Sequence, residues 1–284
     1  MKPQALVLQA HGTNRDLDVM DALTLAGADA VGVPLNELRA GKTLWTDFQL
    51  VVLPGGFSYA DALGAGKLLA IDLRSYFADA IAAFVASGKP VIGICNGFQA
   101  LVRAGILPGA NVIASDRSER GNLPANRRLL RRNSAAPRND MEVTLTFNAA
   151  GHFECRWVTL KAVSDTCLWT RGLDELITCP VAHGEGNFQT AHENGLTVLA
   201  ANGQVALTYA HADGSPAGNS YPANPNGSVM DIAGLCNAAG NVLGLMPHPE
   251  NHVHDYQHPR HTRGETGRSG LALFRNGVAY AEKL

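Results

Sequence analysis

One short segment constrains the fold more than any other part of the sequence. Residues 91–94 form an apolar run that leads directly into Cys95 and then into a helical pattern. Two similar apolar runs, at 5–9 and 50–53, also end in glycine-containing loops. Strands that are apolar on both faces are typical of a parallel sheet covered on two sides by helices. The alternation therefore predicts an α/β fold with a mostly parallel central sheet.

The remaining elements follow from periodicity and turn signals. A long apolar-periodic stretch predicts one helix over 67–87, ended by Gly88 and Pro90. Thr13 or Asn14 is expected to cap the first helix, and the last helix is expected at 271–282. Further strands, some antiparallel, are predicted at 141–147, 153–163, 177–181, 196–200, 204–209, 229–236 and 242–246. Because strands continue throughout, we predict a single domain over 1–284, with an arginine-rich loop at 117–138 and an exposed loop at 251–270.

Composition excludes several functional classes. With 23 basic and 25 acidic side chains the net charge is -2, whereas a nucleic-acid-binding protein typically carries a basic excess. No apolar stretch approaches the roughly 18 residues of a membrane span. The five cysteines are scattered without a C-x-x-C pair, so neither a disulfide framework nor a zinc site is expected, and a reducing cytoplasm is favoured. The histidines within 252–261 lack a clear third ligand, so we expect no metal.

The segment Gly93-Ile94-Cys95-Asn96-Gly97 has the pattern of a nucleophile elbow, a sharp strand-to-helix turn that presents one reactive side chain. The helix N-terminus favours the thiolate form of Cys95. The backbone N–H of Asn96 is then placed to stabilise an oxyanion formed at an attacked carbonyl. The alternative is a buried structural cysteine beside a packing glycine, which the flanking strand and helix make less favourable.

A cysteine nucleophile needs a base and a group that orients the base. His248 and Glu250 follow an apolar run and a proline, and residues two apart in an extended segment point the same way. A surface histidine beside an acid is the alternative for this weak motif. Gly55 and Gly56 end the 50–53 run and offer the second half of an oxyanion hole, although a plain turn fits them equally well.

Several motifs along the chain resemble those of one enzyme family, the class I (triad) glutamine amidotransferases. Within that family they are similar to the glutaminase subunits of phosphoribosylformylglycinamidine synthase. The motifs are His11-Gly12-Thr13-Asn14, Pro54-Gly55-Gly56-Phe57-Ser58-Tyr59, Gly93-Ile94-Cys95-Asn96-Gly97-Phe98-Gln99, Ala182-His183-Gly184-Glu185-Gly186, Asn224-Pro225-Asn226-Gly227-Ser228 and Met246-Pro247-His248-Pro249-Glu250. The resemblance implies a flavodoxin-like fold with added antiparallel strands.

The resemblance also implies roles for individual residues. Cys95 would be the nucleophile, His248 the general base and then acid, and Glu250 the residue that orients it. Gly56 and Asn96 would form the oxyanion hole. The candidates for binding the substrate are Gly55, Gln99 and His183.

The activity implied by the resemblance is hydrolysis of glutamine, with ammonia passed to a large synthase subunit in purine biosynthesis, with or without a small bridging subunit. The resemblance places ATP and magnesium on that partner and no cofactor on this chain. Gly41-Lys42-Thr43 ends like a P-loop, but Asn36 stands where a glycine is needed, so we interpret it as a turn. Two alternatives remain open: a hydrolase that acts alone on γ-glutamyl or peptide bonds, and a catalytically silent scaffold.

Overall fold

The computed structural model describes residues 2–109, 143–191 and 193–284. Its main feature is a nine-stranded sheet in the order β2-β1-β3-β4-β11-β10-β9-β6-β7, beside a two-stranded sheet of β5 and β8. The strands are β1 (Gln4–Gln9), β2 (Asp29–Pro34), β3 (Leu50–Leu53), β4 (Val91–Ile94), β5 (Val143–Thr146), β6 (Glu154–Ala162), β7 (Ile177–His183), β8 (Asn187–Thr190), β9 (Val205–Ala210), β10 (Ile232–Cys236) and β11 (Val242–Leu245). The helices are α1 (Asp16–Ala26), α2 (Leu35–Arg39), α3 (Lys67–Tyr76), α4 (Ala78–Ala86), α5 (Asn96–Arg103), α6 (Glu193–Ala201) and α7 (Leu271–Ala281).

The nine-stranded sheet has a parallel half and an antiparallel half. Strands β2, β1, β3, β4 and β11 pair in parallel, whereas β10, β9, β6 and β7 continue the sheet in antiparallel pairs. Helices flank the parallel half, because a parallel connection has to cross over one face of the sheet. The predicted α/β fold with a parallel centre and added antiparallel strands is therefore confirmed.

The core follows the central strands. The side chains of β3 are fully buried, as are those of Val91, Ile92 and Ile94 in β4. Each fully buried aliphatic side chain of this size contributes about 1.5–3 kcal/mol relative to an exposed one. This burial fixes the register of β3 and β4 and therefore the position at which each strand ends.

Four details of the predicted secondary structure were wrong or incomplete. The stretch 67–87 forms two helices, α3 and α4, because the chain leaves helical geometry at Phe77, whose buried ring packs against Trp45. The predicted strand at 196–200 is instead part of α6, since a short apolar run fits either element. Neither Thr13 nor Asn14 caps α1, because the N-cap position is Arg15. Strand β2, at the edge of the sheet, was not predicted, and neither were β8 and α2.

The predicted arginine-rich loop at 117–138 lies outside the described residues, as do the first two residues of the predicted strand 141–147. The segment 251–270 contains short 3-10 turns and is only partly exposed, because His252 and Val253 are buried. No helix in the described ranges is both long and apolar enough to cross a bilayer. A single domain over 1–284 stays a prediction.

Candidate active site

The site lies where the carboxyl ends of neighbouring parallel strands meet. Leu53 is in register with Gly93, and Ile94 with Leu245, so the loops after β3, β4 and β11 leave the sheet side by side. The N–H of Cys95 donates to the carbonyl of Leu245 at 2.8 Å. Ligands bind at this edge in open α/β sheets. The topology therefore brings distant parts of the sequence to one point.

Cys95 occupies the sharp turn between β4 and α5. Its backbone angles are φ 50° and ψ -105°, a conformation that L-residues rarely adopt. The turn depends on Gly97, where an added Cβ would lie 2.0 Å from the carbonyl oxygen of Leu53. Sγ of Cys95 lies 3.8 Å from the carbonyl oxygen of Ala182 in β7, and Cys95 is 5% exposed. This geometry is the nucleophile elbow that the sequence pattern predicts.

His248 and Glu250 follow β11 and are both buried. Nδ1 of His248 lies 2.7 Å from Oε1 of Glu250. The two side chains meet because Pro249 starts a 3-10 turn over Pro249–Asn251, and not because the segment is extended as the sequence argument assumed. The N–H of His248 also donates to the carbonyl of Pro180 at 2.8 Å. Strand β7 therefore also contacts the site, although it lies four positions from β11 in the sheet order.

The charges around His248 favour its protonated form. Burial alone lowers the pKa of His248, but the negative charges of Glu250 and of the Cys95 thiolate outweigh burial and raise the pKa to about 10. Nε2 of His248 is buried without a hydrogen-bond partner in the described part of the chain. The ring is thus held at Nδ1, and Nε2 remains available for proton transfer.

The two predicted oxyanion-hole residues have different positions. Gly56 lines the same cavity as Cys95 and has φ +124°, a conformation that favours glycine. Asn96 is the first residue of α5, so its backbone N–H has no acceptor within the helix. The side chain of Asn96 is engaged elsewhere: it accepts from the Ser58 hydroxyl at 2.5 Å and donates to Asp61 at 2.8 Å. The backbone of Asn96, rather than its amide, is the group that can face an oxyanion.

A cavity of about 270 Å³ opens beside Cys95. It is slightly smaller than the roughly 300–1,000 Å³ typical of pockets for drug-sized molecules, so it suits a ligand of amino-acid size. Gln99 and His183 line it, as the sequence-based candidates for substrate binding should. Gly55 lies behind the lining, where an added Cβ would be 2.7 Å from Cε1 of His248. Gly55 therefore makes room for the imidazole and does not line the ligand cavity.

The sequence reasoning missed the charged side chains of this cavity. Asp61 and Glu185 line it, and Arg103 pairs with Glu185 at 3.4 Å. Burial raises the pKa of Asp61, while hydrogen bonds from Gly66 and Asn96 act in the opposite direction. Glu185 belongs to one of the motifs on which the family resemblance is based, which is the signal that points to it. The wall therefore offers two carboxylates, and Arg103 pairs with one of them without lining the cavity itself.

His252 and His254, which follow Glu250 in the sequence, hydrogen-bond to other residues of the chain. Nδ1 of His252 lies 2.6 Å from the carbonyl of Thr178, and Nε2 of His254 lies 2.5 Å from Oδ2 of Asp21. Over residues 2–109, 143–191 and 193–284, no three His, Cys, Asp or Glu side chains are grouped to hold a metal ion.

Comparison with known proteins identifies the family. A model of the CobB/CobQ-like glutamine amidotransferase domain matches residues 2–281. Phosphoribosylformylglycinamidine synthase subunit PurQ of Treponema denticola is 49% identical over 99% of both chains. PurQ of Dehalococcoides mccartyi is 40% identical over 100% of this chain and 99% of its own. A chain in the structure of PurLQS from Thermotoga maritima has a TM-score of 0.69 and 29% identity, with 99% of both chains covered. The predicted resemblance is thus confirmed: the chain belongs to the CobB/CobQ-like glutamine amidotransferases and is of the PurQ type.

Proposed function

We propose that this chain is the glutaminase subunit of a phosphoribosylformylglycinamidine synthase. It hydrolyses glutamine to glutamate and ammonia, and the ammonia passes to a synthase subunit in purine biosynthesis. The observation that carries this proposal is the strained Cys95 at the cavity, whose side chain interacts with His248 of the buried His248–Glu250 pair. A nucleophile, a base and a group that orients the base are the parts that acyl transfer from an amide requires.

The first half of the reaction forms a thioester. The thiolate of Cys95 attacks the side-chain amide carbon of glutamine, and the backbone N–H groups of Gly56 and Asn96 stabilise the resulting oxyanion. Nε2 of His248 donates its proton to the amide nitrogen, the carbon–nitrogen bond breaks, and ammonia leaves. The raised pKa of His248 suits this step, because the imidazolium carries the proton that the leaving group needs.

The second half regenerates the enzyme. His248, now neutral, takes a proton from a water molecule that attacks the thioester carbon. The carbon–sulfur bond breaks, and glutamate leaves with the thiolate of Cys95 restored. Glu250 orients the ring and stabilises its protonated form in both halves, because its Oε1 is held 2.7 Å from Nδ1.

The charged wall of the cavity supports glutamine as the substrate. The carboxylates of Asp61 and Glu185, which line the cavity, suit the α-ammonium group. Gln99 is fixed in this wall, because its amide donates to the carbonyl of Glu185 at 2.7 Å. Recognition of the α-ammonium group would select a free amino acid over a peptide in which that nitrogen is acylated.

The names of the relatives support a synthase subunit as the partner of this chain. PurQ is called a subunit of the synthase in the relatives from Treponema and Dehalococcoides, and the Thermotoga structure is of PurLQS. We assign this chain to a complex with the large synthase subunit, with or without a small bridging subunit. ATP and magnesium belong to that partner in this proposal, which also places the chain in the cytoplasm.

The test uses the complex reconstituted with its synthase partner. Cys95→Ala should abolish synthesis from glutamine but leave synthesis from ammonium chloride intact. A chloroketone analogue of glutamine should add covalently to Cys95, as seen by mass spectrometry. Cys155→Ala is the matched control, because Cys155 is an exposed free cysteine outside the cavity.

Each alternative has its own outcome. Full glutamine-dependent synthesis by Cys95→Ala would identify the chain as a silent scaffold. Release of ammonia at the same rate with and without the synthase partner would favour a hydrolase that acts alone. If Cys95→Ala loses synthesis from both glutamine and ammonium chloride while Cys155→Ala keeps both, the role of this chain is not confined to supplying ammonia.

A further inference from the structure

His183 carries a buried nitrogen that the mechanism above does not use. His183 ends β7, lines the cavity beside Cys95 and is 3% exposed. Its Nε2 is buried and has no hydrogen-bond partner among the described residues. An unpaired buried polar atom costs about 1–3 kcal/mol, so it calls for an explanation. The catalytic Nε2 of His248 is in the same condition.

The hydrogen bonds of Asn148 determine which nitrogen of His183 carries the proton. The amide nitrogen of Asn148 donates to the carbonyls of His152 and His183, at 3.0 Å and 2.8 Å. The amide oxygen must therefore be the acceptor, and it accepts from the N–H of Gly186 at 3.0 Å. That same oxygen lies 3.1 Å from Nδ1 of His183. Nδ1 is thus protonated, and Nε2 carries a bare lone pair.

The ring is held in this form. Burial and the positive charge of His248 lower the pKa of His183 to about 3. At neutral pH the ring cannot be protonated, so it does not compete with His248 as an acid. Gly186 packs closely on the ring, since an added Cβ there would lie 2.4–2.7 Å from its atoms. Nε2 therefore acts only as a hydrogen-bond acceptor.

The position of His183 limits which group of a bound ligand can reach its Nε2. Ala182, whose carbonyl is 3.8 Å from the sulfur of Cys95, precedes His183 directly. His183 also lies close enough to His248 for the charge of one ring to affect the other. The group that enters between a nucleophile and its general acid is the leaving group. In glutamine this group is an amide nitrogen with two N–H donors.

We propose that Nε2 of His183 accepts a hydrogen bond from the amide nitrogen of glutamine and orients it for proton transfer from His248. With one N–H held by His183, the nitrogen lone pair that develops after attack can turn towards the imidazolium of His248. Asn148 is a positioning residue, because it fixes the tautomer of His183 without reaching the substrate. This inference rests on the proposed glutaminase function and adds an amide-recognising residue to it.

The test compares two substrates that differ in the leaving group. The leaving oxygen of γ-glutamyl methyl ester carries no hydrogen, so it cannot donate to His183. In the reconstituted complex, His183→Leu should lower kcat/KM for glutamine by roughly tenfold or more. The kcat/KM for the ester should stay within about threefold of wild type. His183→Gln, whose side-chain oxygen can replace Nε2 as acceptor, should recover most of the activity on glutamine.

Equal losses on both substrates would show a structural role and overturn the proposal, and so would unchanged activity on glutamine. If the wild-type complex consumes neither substrate, the glutaminase function itself fails and this inference fails with it. A measurement without substitution at His183 guards against misfolding. In ¹⁵N-histidine-labelled Cys95→Ala protein, the Nε2 resonance of His183 should be that of an unprotonated nitrogen and should shift when glutamine binds. A protonated Nε2 would refute the proposal.

Discussion

Replacing Gly55 by alanine should impair the glutaminase strongly without unfolding the chain. The new Cβ would lie 2.7 Å from Cε1 of His248 and 3.4 Å from Cβ of Cys95. The second distance is at the short end of ordinary contact, but the first is too short by about 0.8 Å or more, since carbon atoms pack at roughly 3.5–4.0 Å. Because Glu250 holds Nδ1 of the ring, the imidazole has to tilt or retreat from its position beside the thiol.

The expected loss follows from this displacement. A misplacement of about 1 Å in a reacting group costs up to 10²-fold in rate, or about 2.7 kcal/mol in the activation barrier. Overpacking a core site costs about 1–3 kcal/mol of folding free energy, which is less than the usual free energy of unfolding of a folded protein. We therefore expect Gly55→Ala to show kcat/KM for glutamine reduced by roughly 10–100-fold, with a cooperative unfolding transition retained.

The assay measures ammonia release from glutamine by the reconstituted complex, and urea unfolding of the same preparation. Gly32→Ala is the matched control, because its new Cβ would also meet an atom at 2.7 Å. That atom is the end of the flexible Gln9 side chain, at the edge of the sheet. The control should keep wild-type activity. Wild-type activity in Gly55→Ala would refute the claim that this glycine is needed to seat His248.

Three further predictions concern the triad and the elbow. Glu250→Gln removes the charge beside His248 and should lower kcat/KM for glutamine by roughly 10³–10⁴-fold in the same assay, whereas a loss below tenfold would contradict the triad. Since the pKa of His248 is raised from 6.5 to about 10, its contribution to the free energy of unfolding is complete below pH 6.5 and is lost as the pH rises towards 10. Urea unfolding between pH 6.5 and 9 should show this as a fall of up to about 1.4 kcal/mol per pH unit, and Glu250→Gln should flatten it. Gly97→Ala places a Cβ 2.0 Å from the carbonyl of Leu53 and should destabilise the fold by about 3 kcal/mol or more, and a change under 1 kcal/mol would show that the elbow can relax.

Much of the site could be predicted from local sequence. An apolar run, a cysteine between glycines and an amphipathic helix predict the elbow at Cys95, because each of these signals acts over a few residues. The proline and acid around His248 indicate a base and its partner for a similar reason. The break at Phe77 has no such local signal; in the structure the buried ring of Phe77 packs against Trp45, which is distant in the sequence.

The sequence by itself therefore determined the α/β class, the elbow and the family, since these depend on local patterns and on motifs spaced along the chain. Only the tertiary structure decided which groups meet at the cavity. Asp61, Glu185 and Asn148 come from separate elements, and their partners are set by strand order and by the return of β7 to His248. The tautomer of His183 depends on a hydrogen bond to Asn148, 35 residues away, and no local pattern specifies such a contact.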